Sequence, residues 1–238
     1  MRRRFFVDRF ENQHAVMRGE AAHHLGRVLR AQPGQLYELS DGSNAWVARI
    51  ESVARDRVDF ALIEPLPAFG PTLETTLFLS VVKFDAFEWA LEKATELGVN
   101  RIVPLAAARS EKGLLAAAAK RARRWEKIVF ESSQQSRRVR LPVIEPVKKL
   151  APAFESETAG LRVLLSERAE ARPLREIFRD SAPHSVALAV GPEGGWTDQE
   201  LATARQAGFR EASLGPLILR AETAVTAALA AANYALDA

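Results

Sequence analysis

Apolar positions along this chain follow two rhythms, and the change between them is abrupt. Before Pro65 they come in short strand-like runs, Leu36 to Leu39, Ala45 to Ile50 and Arg57 to Ile63, separated by turn signals at Pro33-Gly34 and Asp41-Gly42. Short strands with turn chemistry between them predict a small β-barrel, joined by one short helix around His23 to Arg30. Pro65 to Pro71 then packs three prolines and a glycine into seven residues. Such a stretch is too poor in backbone donors to continue a strand or helix, so it is expected to divide the chain into domains at 1–70 and 71–238.

Beyond that point buried runs alternate with helical patterns, the grammar of an α/β domain on a largely parallel sheet. Strands are expected at Thr76 to Val82, Arg101 to Leu105, Arg162 to Leu165, Ser185 to Val190 and Ala212 to Leu214. Asp85 to Leu97 reads as a helix: Phe87, Leu91 and Ala94 share one face, Glu88, Glu92 and Glu96 form an acidic stripe, and Gly98 stops it. A second helix is expected across the basic segment at residues 120–140, with Trp125, Ile128 and Val129 facing inward and the arginines outward. The last, Glu222 to Leu236, is rich enough in alanine to let a neighbouring backbone approach closely, as in a tight interface.

Charge changes the picture in one place. The net charge is only +3, yet Lys120, Arg121, Arg123, Arg124, Lys127, Arg137, Arg138 and Arg140 face only Glu126 and Glu131 between residues 120 and 140. Concentrated positive charge suits a polyanion, because each phosphate neutralised releases counterions; a solvated helix face is the plainer alternative. The chain has no cysteine, which excludes disulfides and thiolate chemistry and suits a reducing cytoplasm. Its four histidines, His14, His23, His24 and His184, lack the spacing of a helical zinc site, so no metal is expected. No apolar run is long enough for a membrane helix, so no membrane partner is expected either.

Candidate chemistry concentrates near the carboxyl end. Val186 to Val190 runs straight into Gly191-Pro-Glu-Gly-Gly195, which places bare backbone at the carboxyl edge of a sheet, where ligands of open α/β sheets bind. Thr197 and Glu200 form a capping-box pattern, and Trp196 can staple onto Leu201, so the next helix has a defined start. A second loop, Leu214 to Thr223, turns at Gly215-Pro216 and carries apolar Ile218 and Leu219, then Arg220 and Glu222. Apolar side chains beside a glycine turn suit an adenine ring, although such turns also close loops for purely structural reasons. Gly-x-Gly-x-x-Gly, a phosphate-binding Gly-Lys-Ser/Thr loop and Gly-x-Ser-x-Gly are all missing, which argues against a Rossmann site, an ATPase and a serine hydrolase.

The run G-P-E-G-G-W-T at Gly191 to Thr197, with S-L-G-P-L-I-L-R-A-E-T-A at Ser213 to Ala224, resembles the signature of the ribosomal RNA small subunit methyltransferase E family, 16S ribosomal RNA uridine-N3 methyltransferases of the SPOUT class. R-R-F-F-V at Arg3 to Val7, H-H-L-G-R-V-L-R at His23 to Arg30, E-K-A-T-E-L-G-V at Glu92 to Val99 and E-S-S-Q-Q-S-R-R at Glu131 to Arg138 extend the resemblance along nearly the whole chain. It implies an α/β SPOUT trefoil-knot domain behind a PUA-like β-barrel, a homodimer, and S-adenosylmethionine (SAM) as cofactor. The substrate it implies is a uridine in the decoding-centre region of 16S ribosomal RNA, within the 30S subunit.

The implied cofactor residues are Leu165, Glu167, Val190, Gly191, Pro192, Gly195, Leu214, Gly215, Ile218 and Leu219. Arg220 is the candidate stabiliser of a uracil anion, and Glu222 or Glu193 the candidate proton acceptor if buried. Glu222 also suits a plain helix-start role, and Glu193 a plain turn role. Arg3, Arg27, Arg30, Arg123, Arg124, Arg137 and Arg138 are the candidate RNA contacts. Two positions depart from the family pattern: Leu217 stands where a basic residue is usual and Arg137 where a glycine is usual. Alternatives are another SPOUT enzyme acting on a ribose 2′-hydroxyl or a tRNA base, a non-catalytic RNA-binding assembly factor, and a metabolic enzyme, which leaves the basic segment unexplained.

Overall fold

The structure, a computed structural model, describes residues 4–67 and 72–236. It contains two compact units, Met1–Gly70 with Ser133–Leu141, and Pro71–Ser132 with Pro142–Ala238.

The first unit is a six-stranded sheet of β1 (Arg4–Phe6), β2 (Phe10–Glu11), β3 (His14–Arg18), β4 (Leu36–Ser40), β5 (Ala45–Val53) and β6 (Arg57–Leu66), in the order β1-β4-β5-β6-β3-β2. Alternation along β6 sends Val58, Phe60 and Leu62 into a core with Phe5, Met17, Leu39 and Ile50. Register shifts between β5 and β6 increase the local twist that curls the sheet over this core. Among the described residues β1 and β2 do not pair with each other, so the expected barrel is an open, curled sheet.

Three local expectations shift. The helix placed at His23 to Arg30 lies earlier, as α1 (Gly19–His23) followed by a π-helical turn over His24–Val28. β6 continues through Pro65, which pairs with Trp46 of β5; β3 has already ended on the other side, so the missing proline N–H breaks no ladder. The division at residue 70 also leaves out Ser133–Leu141, which belongs to the first unit. Within that unit Arg4 Nη1 donates to the Arg137 carbonyl at 2.6 Å and Ser40 Oγ to the Val139 carbonyl at 2.7 Å.

The second unit is an all-parallel sheet of β7 (Glu74–Ser80), β8 (Arg101–Ala106), β9 (Val143–Ile144), β10 (Lys148–Lys149), β11 (Leu161–Leu165), β12 (Arg172–Pro173), β13 (Ser185–Val190) and β14 (Arg210–Ser213). Its order is β10-β8-β7-β13-β11-β14-β12, with β9 on β8. Helices α2 (Phe84–Glu96), α3 (Lys112–Gln135), α4 (Leu150–Glu155), α5 (Leu174–Arg179), α6 (Asp198–Gln206) and α7 (Ala221–Leu236) accompany it. Because successive side chains of a strand point to opposite faces, β13 sends Val186, Leu188 and Val190 into one core and Ala187 and Ala189 into another. Phe87 of α2, Trp125 of α3, Ile177 of α5 and Leu229 of α7 fill the first; Phe154 of α4 and Leu201 of α6 fill the second.

Two helix readings change with packing. Glu88 heads the expected acidic stripe, yet it is 8% exposed and accepts hydrogen bonds from Arg121 Nη1 at 3.3 Å and Arg124 Nε at 2.6 Å. The alanine face of α7, Ala221, Ala224, Ala228 and Ala232, is buried inside its own unit, where α7 packs on α2, α5 and β13. Small residues there serve close packing within the chain.

Candidate active site

In the sheet order β13-β11-β14, three loops leave the same carboxyl edge side by side: one after Leu165, one after Val190 and one after Ser213. Between them lies a cleft of about 250 Å³. Leu165 and Glu167 line it from the first loop, Val190, Gly191, Pro192 and Gly195 from the second, and Leu214, Gly215, Ile218 and Leu219 from the third. All ten residues implied for the cofactor therefore stand around one cavity.

Its floor is Trp196. The indole Nε1 donates to the Leu165 carbonyl at 2.9 Å, tying the second loop to the end of β11. A Cβ at Gly191 would lie 3.0 Å from the same ring, so only glycine lets the backbone cross the indole. Gly195 has φ +70°, and a Cβ there would lie 2.6 Å from Glu167 Oε1; the carboxylate rests where a side chain would stand. The Gly195 N–H donates to the Pro192 carbonyl at 2.8 Å and closes the turn.

The start of α6 anchors this loop. Thr197 Oγ1 accepts from the Glu200 N–H at 3.2 Å, Glu200 Oε2 accepts from the Thr197 N–H at 2.8 Å, and Glu200 Oε1 accepts from the Ala108 N–H at 2.8 Å. Trp196 and Leu201 share one buried cluster. The sequence reading treated Trp196 only as a staple; a tryptophan directly after two glycines was the available signal for a floor under the loop.

Arg220 and Glu193 also line the cleft, and both are exposed. Glu193 thus lacks the burial expected of a proton acceptor, because it sits at the exposed corner of the turn that Pro192 and Gly195 close. Glu222 is not on the cleft wall. Ala221 and Ala224 face the cavity from the first turn of α7, and one residue of helix rotates the next side chain by about 100°, which turns Glu222 aside. Leu217 and Ile218 are 77% and 84% exposed at the tip of the third loop.

The candidate RNA contacts are spread over both units. Arg3 lies outside the described residues. Arg27 and Arg30 are exposed at the π-helical turn of the first unit, and Arg123 is exposed on α3. Arg124 is committed in part to Glu88. Arg137 pairs with Glu38 at 3.5 Å and has φ +57°, the left-handed geometry that favours glycine. Arg138 donates to the Arg140 carbonyl at 3.0 Å, and burial pushes its pKa down to about 10. Among the described residues no cluster of three metal-binding side chains is found, and no helix is long and apolar enough to cross a membrane.

Residues 70–233 match the RNA methyltransferase domain family and residues 18–63 the RNA methyltransferase PUA domain. Fold and site therefore define the class, an RNA methyltransferase with a PUA domain. Ribosomal RNA small subunit methyltransferase E of Synechocystis is 35% identical, over 90% of this chain and 71% of that protein. The Mycobacterium bovis protein of the same name is 32% identical, over 95% and 89%. A crystal structure of ribosomal RNA small subunit methyltransferase E from Neisseria gonorrhoeae, bound to S-adenosyl methionine, aligns with a TM-score of 0.88 at 31% identity, covering 99% of this chain and 98% of that one. The chain belongs to the ribosomal RNA small subunit methyltransferase E family. The fold class implied by the resemblance, an α/β SPOUT domain with a PUA-like head, is the one present.

Proposed function

We propose that this chain transfers a methyl group from SAM to N3 of a uridine in 16S ribosomal RNA, in the decoding-centre region of the 30S subunit. The observation that carries the proposal is the single cleft in which both glycine loops and Arg220 meet. Its residues fit the cofactor. Leu165, Val190, Leu214, Ile218 and Leu219 offer apolar walls for an adenine, Glu167 offers a carboxylate acceptor for ribose hydroxyls, and the bare backbone of Gly191 and Gly195 permits close approach.

SAM supplies the electrophilic methyl carbon; the chain must present N3 of uracil as a nucleophile. That nitrogen carries a proton at neutral pH. The Arg220 guanidinium, on the cleft wall, stabilises the negative charge that spreads onto a uracil oxygen as the proton leaves. Of the two carboxylates considered for the proton, Glu193 lines the cleft and Glu222 does not; exposed and not buried, Glu193 takes the proton as a relay to solvent. Arg27, Arg30, Arg123, Arg137 and Arg138, with Arg3, supply charge for the RNA backbone. The 1–70 segment, together with Ser133–Leu141, serves as an RNA-binding head and the rest of 71–238 as the methyltransferase domain of a cytoplasmic homodimer, in which Trp89 (44% exposed) and Tyr234 (95% exposed) offer α2 and α7 surface to a second copy.

Incubation of the protein with labelled SAM and 30S subunits, followed by mapping of the modified nucleoside, tests this reading. Label in N3-methyluridine of 16S ribosomal RNA is expected. Label on a ribose 2′-oxygen, label only in tRNA, or no transfer would refute it.

A further inference from the structure

Gly194 poses a question that the cleft does not answer. It is absent from the cleft lining, and it is not among the positive-φ residues, so neither the cavity nor the backbone conformation demands a glycine there. Its neighbour across space is Arg109, in the loop between β8 and α3. A Cβ on Gly194 would lie 3.3 Å from Arg109 Cδ and 3.4 Å from Arg109 Cβ, tighter than ordinary contact, and Arg109 Nη1 donates to the Gly194 carbonyl at 2.5 Å. The missing side chain makes room for the arginine stem.

That hydrogen bond completes the restraint of one peptide unit. The carbonyl of the 194–195 peptide is held by Arg109 and its N–H by the Pro192 carbonyl at 2.8 Å. Beside Arg109, the Ala108 N–H donates to Glu200, whose other oxygen caps α6. The Ser110 N–H bonds back to the Ala107 carbonyl at 3.1 Å, which makes the holding loop a turn of its own. Two consecutive residues thus hold the second cleft loop and the start of the helix that follows it, while Glu193 and Gly195 on either side of Gly194 line the cleft.

We propose that Arg109 is a positioning residue for the methyl-donor site: by holding the Gly194 carbonyl it fixes the Pro192–Gly195 turn in the conformation that receives SAM. This rests on the cofactor reading above. A charge-assisted bond to a carbonyl is stronger than a neutral one, and an arginine packed along a glycine is preorganised to make it. Because Arg109 is exposed, its loss removes little buried structure. The effect is therefore expected in cofactor affinity more than in stability. An exposed arginine also suits an RNA phosphate, and the test separates the two roles.

Arg109→Ala, Arg109→Lys and Gly194→Ala are compared with the unaltered protein in three measurements: SAM affinity by calorimetry without RNA, the cofactor-free thermal midpoint, and the salt dependence of binding to 30S subunits. Arg109→Ala is expected to weaken SAM binding about tenfold, the scale of one charge-assisted hydrogen bond. The midpoint should move by less than about 3 °C and the salt slope should stay unchanged. Lysine should recover part of the affinity, and Gly194→Ala should lose part of it. Unchanged SAM affinity in Arg109→Ala overturns the proposal, and a salt slope shallower by about 0.9 would then make Arg109 a phosphate ligand. A parallel fall of midpoint and affinity with no recovery by lysine also overturns it, leaving a brace of the fold alone. If the unaltered protein gives no heat with SAM, the cofactor reading itself fails and the positioning role goes with it.

Discussion

Gly195→Ala probes the point where two cleft loops touch. At φ +70° an alanine costs about 1–2 kcal/mol relative to glycine, since its Cβ crowds the following carbonyl. The new Cβ would also stand 2.6 Å from Glu167 Oε1, where ordinary contact begins at 3.4 Å, so the carboxylate must withdraw by the difference. Glu167 is exposed and flexible, which makes that withdrawal cheap in stability. Its cost falls on function, because the carboxylate leaves the place from which, in the proposed reading, it accepts ribose hydroxyls. A double-mutant cycle with Glu167→Ala separates the two effects. In denaturant titrations Gly195→Ala should lose about 1–2 kcal/mol in both backgrounds, because backbone strain does not depend on Glu167. In calorimetry with SAM the two substitutions should be non-additive, Gly195→Ala weakening binding far less once Glu167 is alanine. Additive losses of affinity would refute the contact between the loops, and unchanged stability would refute the left-handed turn.

Other expectations follow the same logic. Trp196→Phe leaves the Leu165 carbonyl without its donor beneath a 7% exposed ring, so it should cost about 1–3 kcal/mol in a denaturant titration and weaken SAM binding as the cleft floor loosens. Arg220→Ala should lower the single-turnover rate at saturating SAM and subunits on the order of 10²-fold, with affinities near wild type; a loss confined to affinity would make Arg220 a docking residue. Arg137→Gly should be more stable than Arg137→Ala by about 1 kcal/mol, because both lose the pair with Glu38 and only glycine relieves φ +57°. Burial alone would raise the Glu145 pKa, but hydrogen bonds from Lys148 and Arg101 outweigh it and hold the carboxyl below its usual range. Its contribution to stability is present above the ordinary glutamate pKa and lost as pH falls through the lowered value, so Glu145→Gln should flatten the acid limb of a stability profile.

The elements most legible in the sequence were those specified by neighbours a few residues apart. β13 spans Ser185–Val190 as its unbroken apolar run indicates, the Thr197–Glu200 box starts α6, and α2 follows the spacing of Phe87, Leu91 and Ala94. Periods of 2 and 3.6 and the reach of a capping side chain are local properties, readable without knowing what lies opposite. Both glycine loops were legible for the same reason. What the sequence left open depends on partners distant along the chain. Glu88 looked solvated until α3 brought Arg121 and Arg124 against it, and Ser133–Leu141 reads as the end of a basic helix although Arg4 and Ser40 hold it in the first unit. Arg109 carried no motif, because its meaning lies in a carbonyl 85 residues away. Glu222 and Ala221 are adjacent in sequence, yet the phase at which α7 packs puts only Ala221 on the cleft wall. Strand order is the strongest case. β13 lies between β7 and β11, and that insertion, which sets three loops around one cavity, is decided by competition among buried apolar faces over the whole unit, with no local period to announce it.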